Sequence, residues 1–131
     1  MMSEHDEQVK LFEILSRYEE KYPILKWVFA IPNGGKRHPA TAVKMKAEGV
    51  KSGVWDVFVP RFRDSSYVDD HSCGLFIEMK FGKNGLTDNQ KIFRESLEYD
   101  FGFAFSVCYT AEEAIRAIGE YLGINELMAI E

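Results

Sequence analysis

Two short apolar segments decide the fold: VWDVFV at residues 54–59 and LFIEMK at residues 75–80. Their length and apolar character predict two β-strands. Side chains alternate faces along a strand, so Glu78 and Lys80 lie on the same face of the second segment. If the two strands pair, Asp56 joins them. Charged side chains are rare inside an apolar sheet because their desolvation is costly, so their presence needs an explanation.

The acidic pair Asp56 and Glu78 indicates a metal site. Two carboxylates gathered in an apolar sheet repel each other and resist desolvation unless a cation lies between them. Oxygen ligands suit a hard ion such as Mg²⁺ or Mn²⁺. Each acid taken singly is also explained by a strand end or a sheet edge that faces water, and a Glu-x-Lys pair alone is a weak signal. Their joint occurrence with Lys80 favours the metal site.

Predicted helices and further strands alternate around these two segments, as apolar periodicity and capping patterns indicate. In chain order they are a helix at 3–22, a strand at 27–31, a helix from 39 to about 49, the two central strands joined by a polar hairpin-like connection at 60–74, a helix at 87–99, a strand at 103–109 and a helix from 110. The helical crossover before the last strand predicts parallel pairing. This order predicts an α/β fold in a single domain, residues 1–131, with a small mixed four-stranded sheet flanked by helices.

The first predicted helix carries acidic side chains beside its apolar stripe. Its stripe, spaced by three or four residues, consists of Glu4, Gln8, Leu11, Leu15 and Tyr18. The pattern predicts that Glu4 and Gln8 face the core. Glu7 lies close to the same stripe and is the alternative acid for a site, although first-turn acids also complement a helix dipole without any site.

Thr87 and Gln90 form a capping-box pattern at the start of the helix at 87–99. The cap gives Gln90 a complete structural explanation. A residue engaged in a cap is not expected to serve an active site easily as well, so both interpretations of Gln90 stay open at this point.

The C-terminal part of the chain combines a helix with an apolar tail. The helix places Ile115 and Ile118 at core spacing. Residues 124–131 follow and include the apolar side chains Leu127 and Met128. We expect this tail to be an apolar flap or an oligomer contact.

The net charge of −5 argues against a protein that coats nucleic acid indiscriminately. The span 36–63 is nevertheless basic, with Glu48 and Asp56 as its acids and Lys36, Arg37, Lys44, Lys46, Lys51, Arg61 and Arg63 as its bases. A basic surface of this kind suits phosphate binding. A solvated helix face explains Lys44 and Lys46 equally well.

The loop at 33–35 and the turn after Lys80 are further candidates for contact with phosphate. Asn33 and Gly34, next to Lys36 and Arg37, permit close backbone approach to a phosphate, although turn chemistry alone also explains the glycines. Lys51 leads into the strand that carries Asp56, and Lys83 follows the second central strand.

Composition limits the other classes of protein. A chain of 131 residues that is 46% hydrophobic is long enough for one compact domain. No apolar stretch approaches a membrane span and residues 1–7 are polar and acidic, so we expect an intracellular, cytoplasmic protein. Cys73 and Cys108 lack a motif spacing and are expected to be reduced thiols.

Asp56 followed by Glu78-x-Lys80 resembles the PD-(D/E)xK nuclease signature, and the surrounding strings are similar to the VRR-NUC (virus-type replication-repair nuclease) domain. The strings are NGGKR at 33–37, AEGVKSGVWD at 47–56, GLFIEMK at 74–80 and LTDNQ at 86–90. The resemblance extends over about residues 3–122. One departure is Trp55, where the family usually has proline.

The resemblance implies a restriction-endonuclease-like core and a metal-dependent phosphodiester hydrolase. It places one or two Mg²⁺ or Mn²⁺ ions on Glu4, Asp56, Glu78 and the main-chain carbonyl of Met79. Asp56, Glu78, Lys80 and Gln90 are then the catalytic residues, and Lys80 orients the attacking water or stabilises developing negative charge.

Stand-alone domains of this kind resemble homodimeric DNA endonucleases that cut branched DNA such as four-way (Holliday) junctions in phage and bacterial cells. DNA repair is the corresponding process. The alternatives are a nuclease that acts on flaps, single strands or RNA, and a non-catalytic DNA-binding module that has kept the fold.

Overall fold

The computed structural model describes residues 2–32, 38–65, 70–99 and 101–131. The strands in these ranges are β1 (Phe29–Ala30), β2 (Val57–Val59), β3 (Arg63–Ser65), β4 (Asp70–Ser72), β5 (Leu75–Met79) and β6 (Ala104–Cys108). The α-helices are α1 (Glu4–Tyr18), α2 (Pro39–Ala47), α3 (Asp88–Glu98), α4 (Ala111–Leu122) and α5 (Asn125–Met128). A short 3₁₀-helix, Pro23–Trp27, connects α1 to β1.

A mixed four-stranded sheet with the order β1-β2-β5-β6 lies at the centre of the fold. β2 pairs antiparallel with both β1 and β5, and β6 pairs parallel with β5 after the crossover through α3. The strands β3 and β4 form a separate antiparallel hairpin between β2 and β5. The predicted α/β class, the mixed sheet and the parallel crossover are therefore confirmed.

The two faces of β5 support two different apolar layers. Ile77 and Met79 belong to the main core, which α1 and α4 cover on one face of the sheet. Phe76 points to the opposite face, where its ring contacts the ring of Phe93 from α3 and the ring of Phe105 from β6. All five residues of β5 are buried because helices cover both faces.

The N-terminal elements are shorter than the sequence predicts. The helix expected to continue to residue 22 ends at Tyr18, and the chain then enters the 3₁₀-helix that begins with Pro23. The strand expected at residues 27–31 is reduced to Phe29–Ala30, and both residues are exposed at the sheet edge. The apolar run at residues 27–31 thus contains a short edge strand. Apolar composition alone does not distinguish an edge strand from a central one.

The core-facing stripe of α1 differs from the predicted one. Glu4 is exposed and Gln8 is only half-buried. Glu7 is buried instead, together with the apolar residues Leu11, Ile14 and Leu15. Glu7 Oε1 accepts a hydrogen bond of 3.1 Å from the main-chain N–H of Ala111, the first residue of α4. The positive end of the α4 dipole thus stabilises this carboxylate in the core.

The C-terminal tail is part of the core and not a detached flap. Leu127 of α5 is fully buried, and it packs against α4 at Gly119. Gly123, with φ of 72°, ends α4 in the left-handed conformation that lets the chain reverse. The main-chain N–H of Ile124 then donates to the Gly119 carbonyl at 2.8 Å.

We predict that Gly119→Ala destabilises the fold. A Cβ on Gly119 would lie 2.8 Å from the Cβ of Leu127 and 2.9 Å from the main-chain nitrogen of Met128. Overpacking against backbone outweighs the higher helix propensity of alanine, so we expect a loss of about 1 to 2 kcal/mol in the free energy of unfolding, measured with urea. Gly85→Ala is the matched control because a Cβ there meets no atom within 4 Å. Equal stability of the two variants would contradict this account of the α4–α5 packing.

Candidate active site

The register of the two central strands brings Asp56 beside Glu78. Val57 pairs with Ile77, so the residue before β2 lies next to the fourth residue of β5. Asp56 Oδ2 accepts a hydrogen bond of 2.9 Å from the main-chain N–H of Met79. This bond fixes the Asp56 carboxylate at the end of β5.

Glu78, Lys80 and Gln90 form a closed group of polar contacts beside Asp56. Lys80 Nζ lies 3.2 Å from Glu78 Oε2 and donates to Gln90 Oε1 at 2.9 Å. Gln90 Nε2 in turn donates to Glu78 Oε2 at 2.7 Å. Glu78 is only 3% exposed and Lys80 8% exposed, so the ion pair lies inside the protein. Such a pair is stable only where hydrogen bonds satisfy its other polar atoms.

Gln90 serves the cap and the polar group at the same time. Its Oε1 accepts from the main-chain N–H of Thr87 at 2.9 Å in addition to Lys80, and Thr87 Oγ1 accepts from the Gln90 main-chain N–H. An amide oxygen has two lone pairs and the amide nitrogen has two N–H groups, which is enough for all three side-chain contacts. The cap therefore does not prevent Gln90 from contacting Glu78 and Lys80, and its catalytic role stays a prediction.

Burial raises the pKa of both acids. The pKa of Glu78 is raised to about 7, first by burial and then by the charge of Asp56, and Lys80 opposes both effects. Burial also raises the pKa of Asp56, against the hydrogen bond from Met79. The pair thus carries less than two negative charges at neutral pH unless another cation is added.

One oxygen of Glu78 makes this group suitable for a metal ion. Glu78 Oε1 is buried, and when both acids are ionised it has no hydrogen-bond partner among the described residues, whereas a proton on Glu78 can be shared with Asp56. A buried carboxylate oxygen without a partner is costly, and a divalent cation is a partner that supplies both contact and charge. The oxygen donors of Asp56 and Glu78 therefore fit Mg²⁺ or Mn²⁺. Within the described ranges no group of three or more His, Cys, Asp or Glu side chains is arranged for metal binding.

Glu4 lies at the edge of this group. It is the first residue of α1, it is exposed, and its charge contributes to the raised pKa of Asp56. It also borders a surface cavity of about 550 Å³ together with Phe81 and Asn84 from the turn that follows Lys80. The role of Glu4 as a ligand, like that of the Met79 carbonyl, stays a prediction.

Glu7, the alternative acid of the first helix, is engaged elsewhere. Its Oε1 accepts from Ala111 N, so this carboxylate stabilises the start of α4. Its burial and this bond explain why an acidic residue lies on the core face of α1.

Two of the predicted DNA-binding residues, Lys51 and Lys83, lie in the described part of the chain. Lys51 and Lys83 are both exposed, in segments that meet the N-terminus of α3. Lys51 precedes Ser52, whose Oγ accepts from Asn89 Nδ2 at 2.9 Å, and Lys83 lies in the turn that leads into α3. The other predicted DNA-binding residues lie outside the described residues; they are Asn33, Gly34, Lys36 and Arg37.

Trp55 contacts the candidate site, although the sequence marked it only as a departure from the proline that is usual in the family. Its side chain is fully buried, and its Nε1 donates to the main-chain carbonyl of Gln90 at 3.1 Å. A buried indole N–H needs an acceptor, so a tryptophan next to a site acid was the available signal.

No helix in the described part of the chain has the length and apolar character required to cross a membrane. The longest, α1, has 15 residues and contains several charged side chains. Membrane spans need about 20 consecutive apolar residues.

Comparison with known proteins agrees with the geometry. A solved structure described as a VRR_NUC domain protein matches with a TM-score of 0.72 and 25% sequence identity, over 93% of this chain and 89% of the other. No curated protein matches the sequence significantly. The model of the VRR-NUC domain matches residues 2–112. The chain therefore belongs to the VRR-NUC domain family, whose members are nucleases of the PD-(D/E)xK type.

Proposed function

We propose that this protein is a metal-dependent DNA endonuclease that hydrolyses phosphodiester bonds in branched DNA, with Asp56, Glu78, Lys80 and Gln90 as its catalytic residues. The observation that carries the proposal is the buried oxygen of Glu78 that has no hydrogen-bond partner in the described part of the chain. It lies on a carboxylate that already contacts a lysine and a glutamine, next to a second acid. A purely structural ion pair has no need for this second acid.

Asp56 and Glu78, with Glu4 and the carbonyl of Met79, would hold one or two Mg²⁺ or Mn²⁺ ions. When bound, such an ion polarises the phosphate and lowers the pKa of a water molecule so that it can attack phosphorus. The hydrogen bond from Met79 N–H keeps one Asp56 oxygen fixed at the end of β5. A carboxylate fixed in this way would present a metal ligand in a defined position.

Lys80 and Gln90 orient the reacting groups. Lys80 is held by Gln90 Oε1 and Glu78 Oε2, so its ammonium group has a fixed position inside the site. A fixed cation stabilises negative charge that develops on the phosphate in the transition state and costs no reorganisation. Gln90 also orients Glu78, since its Nε2 donates to the carboxylate.

The exposed lysines near the N-terminus of α3 provide the DNA contact. Lys51 and Lys83 would bind phosphates on either side of the cleaved bond, and Asn33, Gly34, Lys36 and Arg37 are the other residues that we propose to contact DNA. The negative net charge supports a substrate recognised by shape more than by overall charge. A homodimer with two-fold symmetry would place two sites against two symmetric strands of a junction.

We predict that the protein cuts a labelled four-way junction in Mg²⁺ or Mn²⁺ and not in chelator. Glu78→Gln should lower the cleavage rate at least about 100-fold, because it removes a charged ligand and keeps the shape of the side chain. Glu95→Gln, an exposed acid of α3, is the matched control and should cut normally. Gel electrophoresis of the products measures both rates.

Flap, single-stranded, linear duplex and RNA substrates complete this experiment. Faster cutting of one of them than of the junction would overturn the branched-DNA part of the proposal and keep the nuclease. No cutting of any substrate by folded protein with either metal would overturn the enzyme and favour a DNA-binding module.

The raised pKa of Glu78 predicts that the metal-free protein loses stability as the pH rises. The folded protein holds a proton on Glu78 up to about pH 7, whereas the unfolded chain releases it near the ordinary value of 4.5. This contribution to stability is complete below about pH 4.5 and is lost as the pH rises through about 7. We expect the free energy of unfolding to fall by about 1 to 3 kcal/mol between about pH 5.5 and pH 8 in chelator.

Glu78→Gln and added metal are the two comparisons for this measurement. The variant has no proton to release, so its stability should depend much less on pH in urea unfolding followed by circular dichroism. Mn²⁺ should stabilise the unsubstituted protein more at about pH 8 than at about pH 5.5, because a carboxylate loses its proton before it binds metal. A stability that rises with pH in chelator would contradict the assignment.

A further inference from the structure

The segment that carries Asp56 is joined to the first turn of α3 by Trp55. The indole N–H donates to the main-chain carbonyl of Gln90 at 3.1 Å, and no part of the Trp55 side chain is exposed. Its ring packs edge-on against Phe105 of β6, with 4.9 Å between the ring centroids. The packing holds the indole in place, so the N–H has a defined direction.

Two further contacts join the same pair of segments. Ser52 Oγ accepts from Asn89 Nδ2 at 2.9 Å. Gly53 has φ of 92°, and a Cβ there would lie 2.5 Å from the main-chain oxygen of Asn89. The close approach requires glycine, so residues 52–55 and the start of α3 form one rigid connection.

This connection links the two halves of the site. On one side, Trp55 directly precedes Asp56, which is hydrogen-bonded to the end of β5. On the other, Gln90 holds Lys80 and Glu78 through its side-chain amide. A shift of the first turn of α3 would move the Gln90 amide away from both partners at once.

We propose that Trp55 is a positioning residue for the nuclease site, acting through its indole N–H on the main chain of Gln90. The inference rests on the proposed function for its effect on catalysis, but the hydrogen bond itself is independent of it. Proline, which the family usually has at this position, offers no side-chain donor. The hydrogen bond to the Gln90 carbonyl therefore depends on tryptophan at position 55.

The test replaces one atom group of Trp55. The chain has two tryptophans, and Trp27 is 67% exposed, so Trp27→Phe gives a parent protein in which position 55 is the sole tryptophan. Biosynthetic replacement of tryptophan by 3-benzothienylalanine then exchanges the indole N–H for sulfur and keeps the shape of the ring system. The control is the same Trp27→Phe protein with ordinary tryptophan.

Two measurements distinguish a positioning role from a purely structural one. The first is the exchange rate of the Gln90 side-chain amide protons with water, measured by NMR, which should rise about tenfold when the first turn of α3 loosens. The second is cleavage of the four-way junction. We expect kcat to fall about 10- to 100-fold and KM for DNA to stay within about twofold, since geometry at the reacting centre is altered and DNA contacts are not.

An unchanged exchange rate of the Gln90 side-chain amide protons would overturn the proposal. A faster exchange rate together with an unchanged kcat would overturn it as well. Absence of cleavage by the parent protein would count against the proposed function alone, because the amide exchange still tests the hydrogen bond. Trp55→Phe is the second variant, judged by the same measurements. If neither variant folds, the exchange rates of the two indole N–H protons with water are compared in the unsubstituted protein. A Trp55 N–H that exchanges as fast as that of exposed Trp27 would overturn the proposal.

Discussion

The site depends on one constraint: Glu78 is a carboxylate inside an apolar sheet, and its contacts do not fully offset the cost of its desolvation. Glu78 lies in the fully buried strand β5, and burial raises its pKa to about 7. Lys80 and Gln90 satisfy one of its oxygens and leave the other without a hydrogen-bond partner among the described residues. Protonation or a metal ion can relieve the remaining cost. A proton or a metal ion is thus stabilised at the point where the two central strands pair.

Much of the fold was predictable because it follows from local patterns. The central strands at Val57–Val59 and Leu75–Met79, the parallel crossover to β6 and the capping box at Thr87 all depend on residues close in sequence. The wrong predictions concern features that depend on residues distant in the sequence. Glu7 is buried because α4, 104 residues away, supplies the N–H of Ala111. The periodicity of α1 alone contains no information about that partner.

The grouping of the candidate site residues was predictable from the sequence, but their contacts were not. Charged side chains in apolar strands pointed to Asp56, Glu78 and Lys80, since such residues are costly without a purpose. The double role of Gln90 could not be inferred, because it depends on how close α3 lies to β5. Trp55 was missed for the same reason: its partner is a main-chain carbonyl, which no residue type reveals.

The packing of α5 on Gly119 shows that the unit that folds extends beyond the segment that the family model matches. The family model ends at residue 112, just inside α4, yet Ile115, Ile118 and Leu127 are fully buried in the same core as β5. A fragment cut at that boundary would keep Asp56, Glu78, Lys80 and Gln90 and lose most of α4, one of the two helices that cover one face of their sheet. The candidate site residues thus lie within the family model, and the scaffold that supports them is completed by residues beyond it.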